Sequence, residues 1–250
     1  MLSKSQIGLI KSLQDKRSRI ENGLFIVEGE KMVIELIQSN FIIKAIYINT
    51  LQTSVNFKKK FEFREIMDWI EVSTNDLQKI TFHSSAPSMI ALVELPKNND
   101  DKLGWPILVL EDIQDPGNLG TLIRIADWFN FKAIVTSPSS VSWHNPKVIQ
   151  SSMGSFLRIP VLEKELVPFL QGTKKPLFTA DLSGKSIFET NLTEMELVIF
   201  GNESRGISKS IYDLVTKSIS IPGYGIAESL NIAVAAGIIC AEKSRQGFQN

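Results

Sequence analysis

The chain has 250 residues, an apolar fraction of 43%, and 27 basic against 27 acidic side chains. That apolar fraction supports a buried core and excludes a disordered chain. The charge balance excludes a polyelectrolyte arm and confines any RNA contact to local patches. One cysteine, Cys240, and two histidines, His83 and His144, exclude a disulfide scaffold and disfavour a zinc site or a His-based triad, so no metal is expected. A lone thiol in an apolar run fits a reducing, cytoplasmic setting.

In chain order, residues 4–19 place Ile7, Ile10 and Leu13 at helical spacing among Lys11, Lys16, Arg17 and Arg19. Asn22 and Gly23 end that helix. Residues 24–27 read as a strand, 30–38 as a helix, 45–48 as a strand, 74–80 as a helix and 90–95 as a strand. Residues 1–97 therefore form a small α/β domain. The stretch around 98–105 is polar, aperiodic and punctuated by Gly104, which is linker chemistry.

The second domain spans 106–250. It opens on an apolar strand, 107–110, and a helix that begins near Asn118. Further strands fall at 133–135, 177–180, 197–200 and 218–221, with helices at 146–154 and 229–245. Mostly apolar strands alternating with helices imply an α/β fold, its sheet mostly parallel and covered on both faces. The longest apolar stretch, 232–241, is too short to span a bilayer, and the amino terminus lacks an apolar core of signal-peptide length, so no membrane partner is expected.

Ligands of open parallel sheets sit beyond the carboxyl ends of the strands. Three loops there mix glycine with amide, carboxylate or hydroxyl side chains: 114–120, followed by Arg124; 200–206; and 221–231. Glycine allows close backbone approach to a ligand. Arg124, Glu203, Ser229 and Asn231 are candidates to converge on one cleft. Each loop also has a plainer reading: a turn at Asp115-Pro116-Gly117-Asn118, a solvated ion pair in the second, and a helix capped by Ser229 in the third. Those readings leave unexplained why three such loops follow three strands. No phosphate-binding G-x-x-x-x-G-K-[ST] and no dinucleotide G-x-G-x-x-G is present.

At these loops the chain resembles the SpoU/TrmH family of RNA ribose 2′-O-methyltransferases. N-x-G-x-x-x-R is matched by Asn118, Gly120 and Arg124. G-N-E-x-x-G is matched by Gly201, Asn202, Glu203 and Gly206. I-P followed by S-L-N is matched by Ile221, Pro222, Ser229, Leu230 and Asn231. Asn145-Pro146-Lys147 and Ser152-Met153-Gly154-Ser155 resemble the intervening segment, and 24–31 resembles the start of the family's accessory RNA-binding domain. Gln150 stands where many members carry arginine, and Gly223 replaces a bulkier residue.

The resemblance implies a trefoil knot in the second domain, a homodimer, S-adenosylmethionine as cofactor, and a structured RNA as partner, ribosomal RNA first with transfer RNA open. It implies catalytic roles for Arg124, Asn118, Glu203, Ser229 and Asn231, and cofactor contacts at Gly201, Asn202, Ile221, Pro222 and Leu230. Lys11, Lys16, Arg17, Arg19 and Lys58 to Lys60 are candidate phosphate contacts. The alternatives are a non-catalytic RNA-binding protein with a relic second domain, and an enzyme acting on a small molecule.

Overall fold

The computed structural model describes residues 2–54, 69–96 and 103–247. The chain divides into two compact units. One is Met1–Lys97 with His144–Gln150, and the other is Asn98–Trp143 with Ser151–Asn250.

The first unit is built on a four-stranded sheet, β1(Leu24–Glu28), β2(Ile43–Ile48), β3(Trp69–Glu71) and β4(Met89–Glu94), in the order β1-β4-β2-β3. β4 pairs antiparallel with β1 and β2, and β2 pairs parallel with β3. Ile26, Tyr47, Ile90 and Leu92 share a core with Ile10, Leu13, Leu77 and Ile80 from the helices. α3(Glu30–Ile37) buries Val33 and Leu36, and α4(Thr74–Ile80) is capped by Ser73, whose hydroxyl accepts from the Asp76 amide at 3.1 Å.

The single helix expected over 4–19 is two. α1(Lys4–Ser12) starts at a reciprocal capping box between Ser3 and Gln6. α2(Lys16–Asn22) restarts at Asp15, whose carboxylate accepts from the Ser18 amide at 3.1 Å, and ends at Gly23 with φ 63°. The break leaves carbonyls without helical partners, and Arg19 supplies them: its guanidinium donates to Leu13 O at 2.9 Å and Gln14 O at 2.8 Å. Its Nε donates to His144 Nδ1 at 2.8 Å. Arg19 is therefore 1% exposed, and the expectation that it contacts phosphate is corrected. Helical periodicity cannot see this, because an interrupted helix turns a residue of the polar face inward. Lys11 and Arg17 are exposed, Arg17 pairing with Glu21 at 2.6 Å, and Lys16 is half-buried. Lys58 to Lys60 lie outside the described residues.

The second unit carries six strands, all parallel, in the order β10-β8-β9-β5-β6-β7. They are β5(Ile107–Leu110), β6(Ala133–Thr136), β7(Val161–Glu163), β8(Phe178–Ser186), β9(Leu197–Phe200) and β10(Lys217–Ser220). Side chains alternate across the sheet. Ile107, Val109, Ala133, Val135, Leu197 and Ile199 form one core with α7(Leu166–Gln171) and with Ile211 of α8(Lys209–Tyr212). α5(Pro116–Trp128) and α9(Ile232–Gly247) pack together and bury Leu119, Leu122, Ile123, Ala236 and Ile239. The α/β class with a helix-flanked parallel sheet is as expected from the sequence. β7 and α7 were not legible: one is three residues long, and the other is six residues with Pro168 inside it. The helix expected over 146–154 is α6(Pro146–Ser152), and Gly154, with φ 91°, begins a separate short turn. No helix among the described residues is long and apolar enough to cross a membrane.

Two irregularities shape the carboxyl edge of this sheet. Ser218 pairs with Thr179, but the next residue, Ile219, pairs with Lys185, so 180–184 bulge out of β8. Gly184 permits this, because a Cβ there would lie 2.5 Å from Ile219 N. After β9 the chain makes a hairpin turn in which Asn202 and Gly206 exchange backbone hydrogen bonds at 3.0 and 2.9 Å. A Cβ on Gly201 would lie 2.2 Å from the Gly206 carbonyl carbon.

Gly201→Ala forces backbone apart, an overpacking penalty of about 1–3 kcal/mol. It should lower the thermal midpoint by several degrees in scanning calorimetry, whereas Gly223→Ala, at a site with nothing within 4 Å, should leave it unchanged. Equal midpoints for both variants would contradict the close approach. Burial, then the charges of Arg19 and Lys16, push the His144 imidazole down to about 3 from 6.5. The unfolded chain then binds the proton first, so stability is full above about pH 6.5 and is lost as the pH falls towards 3. Urea unfolding at pH 7.5 and 5.5 should show that loss in the wild type and a smaller one in His144→Gln; identical losses would refute it.

Candidate active site

α5 starts at Pro116, one residue after Asp115, whose carboxylate accepts from the Asn118 amide at 2.8 Å. With its backbone amide held by that cap, Asn118 projects its side chain across the sheet edge. Its Nδ2 donates to Glu203 Oε1 at 2.9 Å, and its Oδ1 accepts from Asn231 Nδ2 at 3.0 Å. Asn231 in turn caps α9, its Oδ1 accepting from the Ala233 amide at 2.9 Å. One hydrogen-bonded row, Glu203–Asn118–Asn231, thus joins the three loops picked out in the sequence. The helix expected from 229 begins at Ile232, so Asn231 is its cap and Ser229 lies in the preceding loop.

Beside this row is a cavity of about 440 Å³, within the usual range of small-molecule sites. Gly201, Asn202, Ile221, Pro222, Ser229 and Leu230 line it, as does Glu203. Its deeper wall is apolar: Phe200, Ile219, Ile232 and Ile239. Ala180, Asp181 and Leu182 also line it, and sequence reading missed them. They arrive there through the β8 bulge, and the only sequence trace of that bulge is Gly184 interrupting a polar strand.

Asn202 faces the cavity but spends its side chain elsewhere. Its Nδ2 donates to Asp112 O at 3.0 Å, and its Oδ1 accepts from the Ser204 and Arg205 amides at 3.0 and 3.2 Å. Its contribution to the cavity is therefore mainly backbone.

Arg124 does not join the row. Six residues beyond Asn118, it lies about 240° round the helix. It is exposed, and among the described residues it forms no hydrogen bond or ion pair. It shares a solvent-facing stripe with Thr121 and with Trp128, which is 84% exposed. Convergence of Arg124 with Glu203 and Asn231 inside one chain, expected from sequence, does not occur. Of the two departures from the family pattern, Gln150 is exposed on α6 and Gly223 sits in the exposed part of the 221–231 loop.

Comparison with known proteins identifies the family and the fold. Residues 106–241 match the SpoU rRNA Methylase family, and residues 4–91 match the MRM3-like substrate binding domain. A 23S rRNA (guanosine(2553)-2′-O)-methyltransferase, RlmP of Bacillus subtilis, is 30% identical over 92% of this chain and 92% of its own. A 23S rRNA (uridine(2479)-2′-O)-methyltransferase of Streptomyces viridochromogenes is 24% identical over 94% of this chain and 87% of its own. Among solved structures, a TrmH-family protein from Porphyromonas gingivalis superposes with a TM-score of 0.87 at 29% identity, covering 98% of this chain and 99% of its own. AviRb from Streptomyces viridochromogenes, solved with AdoMet, gives 0.88 at 22% identity over 99% of this chain and 100% of its own, which shows the shared fold. With the family matched across the whole of the second unit's sheet, this chain belongs to the SpoU rRNA methylase family, a family of RNA 2′-O-methyltransferases.

Proposed function

We propose that this chain transfers a methyl group from S-adenosylmethionine to a ribose 2′-hydroxyl of a large ribosomal RNA. The observation that carries the proposal is the Glu203–Asn118–Asn231 row beside the cavity. A row of polar side chains that interlocks three separate loops is more than three independent turns need. Two relatives similar to this chain over both units are named as 23S rRNA enzymes, which favours ribosomal over transfer RNA.

The cavity suits the cofactor. It has an apolar interior for an adenine ring, and backbone at Gly201, Ile221 and Leu230 can pair with the adenine edge without charged side chains. When bound there, S-adenosylmethionine supplies an electrophilic methyl group. The chain's own work is to place a weakly acidic ribose hydroxyl so that its oxygen takes the methyl while its proton passes to water. Glu203, held by Asn118, and Ser229 at the cavity rim are the groups placed to orient the ribose. Arg124 acts electrostatically, lowering the hydroxyl pKa or holding an adjacent phosphate, because a guanidinium does not readily give up its proton. Since Arg124 points away from its own row, we assign it to the row of a second copy in a homodimer, the apolar stripe of Trp128 and the half-exposed Val234 lying at the contact. The trefoil knot implied by the resemblance belongs to this reading.

Calorimetric titration with S-adenosylhomocysteine should show one site per chain. Arg124→Ala should bind it normally yet lose most transfer to ribosomal RNA. No binding by folded protein would favour the relic reading. Mixing Arg124→Ala with Glu203→Gln should restore activity through mixed dimers, to roughly a quarter of wild-type sites if chains assort randomly in a two-fold dimer. No recovery would place Arg124 on its own chain's site or exclude the dimer. Lys11, Lys16 and Arg17 remain as candidate phosphate contacts, so RNA affinity should fall linearly in log–log against salt, and Lys11→Ala should reduce that slope by about one. An unchanged slope would remove Lys11 from the interface.

A further inference from the structure

Asp112 has no part in the scheme above, yet it ties the loop after β5 to the loops after β6 and β9. It is a non-glycine residue in the left-handed region, φ 57°, a conformation that costs energy and persists only when its surroundings hold it. Every polar group of Asp112 is engaged. Its amide donates to Ser137 Oγ at 2.8 Å, in the loop after β6. Its carbonyl accepts from Asn202 Nδ2 at 3.0 Å, in the loop after β9. Its carboxylate accepts from Gln114 Nε2 at 2.6 Å, from Asn202 Nδ2 at 3.3 Å and from the Arg205 guanidinium. Arg205 and Asn202 belong to the hairpin that the Asn202–Gly206 bridge closes, and Glu203 is the first residue of its tip.

We propose that Asp112 is a positioning residue for Glu203: by clamping Asn202 and Arg205 it fixes the hairpin so that Glu203 stays on Asn118. This rests on the methyl-transfer reading, in which Glu203 orients the ribose. Glu203 is exposed and its carboxylate accepts from Asn118, so little else in the hairpin determines where that carboxylate points. A surface ion pair alone contributes little. Here the pair is one limb of a network of hydrogen bonds, with Asp112 only 17% exposed in its side chain, so its loss frees the whole turn.

The test variant is Asp112→Asn, because asparagine tolerates the left-handed backbone while losing the charge that holds Arg205. Amide hydrogen exchange on the full chain reads the clamp without reference to activity. Exchange at residues 202 and 206 should rise at least tenfold, with α9 amides unchanged; unaltered exchange at 202 and 206 overturns the proposal. Activity reads the consequence. At saturating RNA and cofactor, Asp112→Asn should lower kcat about tenfold, and Glu203→Gln should lower it further. The double variant should be no worse than Glu203→Gln alone, since a residue acting through Glu203 has nothing left to act on. Multiplied losses, or a wild-type kcat in Asp112→Asn, overturn it. Should Asp112→Asn fail to fold, Arg205→Gln, whose side chain is 75% exposed, takes its place with the same expectations. Absence of transfer by the wild type would instead overturn the methyl-transfer reading, leaving the exchange result to decide the clamp.

Discussion

The parallel pairing of β5 with β9, registered Leu110 against Phe200, governs where every part of the site can be. Both strands are buried along their whole length, so their register is set by the core and not by the loops. Because the strands run the same way, the loops that leave them emerge at one edge. Asn118 and Glu203, 85 positions apart in the chain, meet there at 2.9 Å. The sheet order reverses at this pair, with β6 on one side and β8 on the other, which is where open α/β sheets place their ligands.

Around that pairing the chain uses small residues and polar side chains for different tasks. Glycine appears where backbone meets backbone, at Gly184 against β10 and at Gly201 against Gly206. Polar side chains appear where loops must be held without a regular ladder. Asp115 and Asn231 cap the two helices, and the same Asn231 side chain then reaches Asn118. Capping and site assembly are therefore one set of bonds: the helix starts are rigid because the loops are tied, and the loops are tied because the helix starts are there.

The first unit resolves a comparable problem with a buried charge. An arginine loses hydration when enclosed, and burial lowers the Arg19 pKa accordingly. The loss is offset because its donors meet two helix-end carbonyls and an imidazole nitrogen. Since Nδ1 of His144 accepts from Arg19, the neutral imidazole keeps its proton on Nε2. The arrangement needs the break between α1 and α2, which uncovers those carbonyls.

The α/β class, most of the strands and the three polar loops were legible before folding, because alternation, apolar runs and glycine-rich turns are local properties of a chain. The fate of Arg19 and the bulge at 180–184 came with folding, through contacts between separate elements. Arg19 and Lys16 read alike in a helical pattern, yet one is buried and the other half-buried, because the break at 13–15 leaves the Leu13 and Gln14 carbonyls to the Arg19 guanidinium. Asp181 and Leu182 reach the cavity because β8 skips register against a strand some forty residues away. Arg124 was grouped with Asn118 by a spacing of six, which in sequence looks close and on a helix is the wrong side. Arg19 also reaches His144, and β8 pairs with β10; these contacts are with residues remote in the chain, which no local pattern encodes.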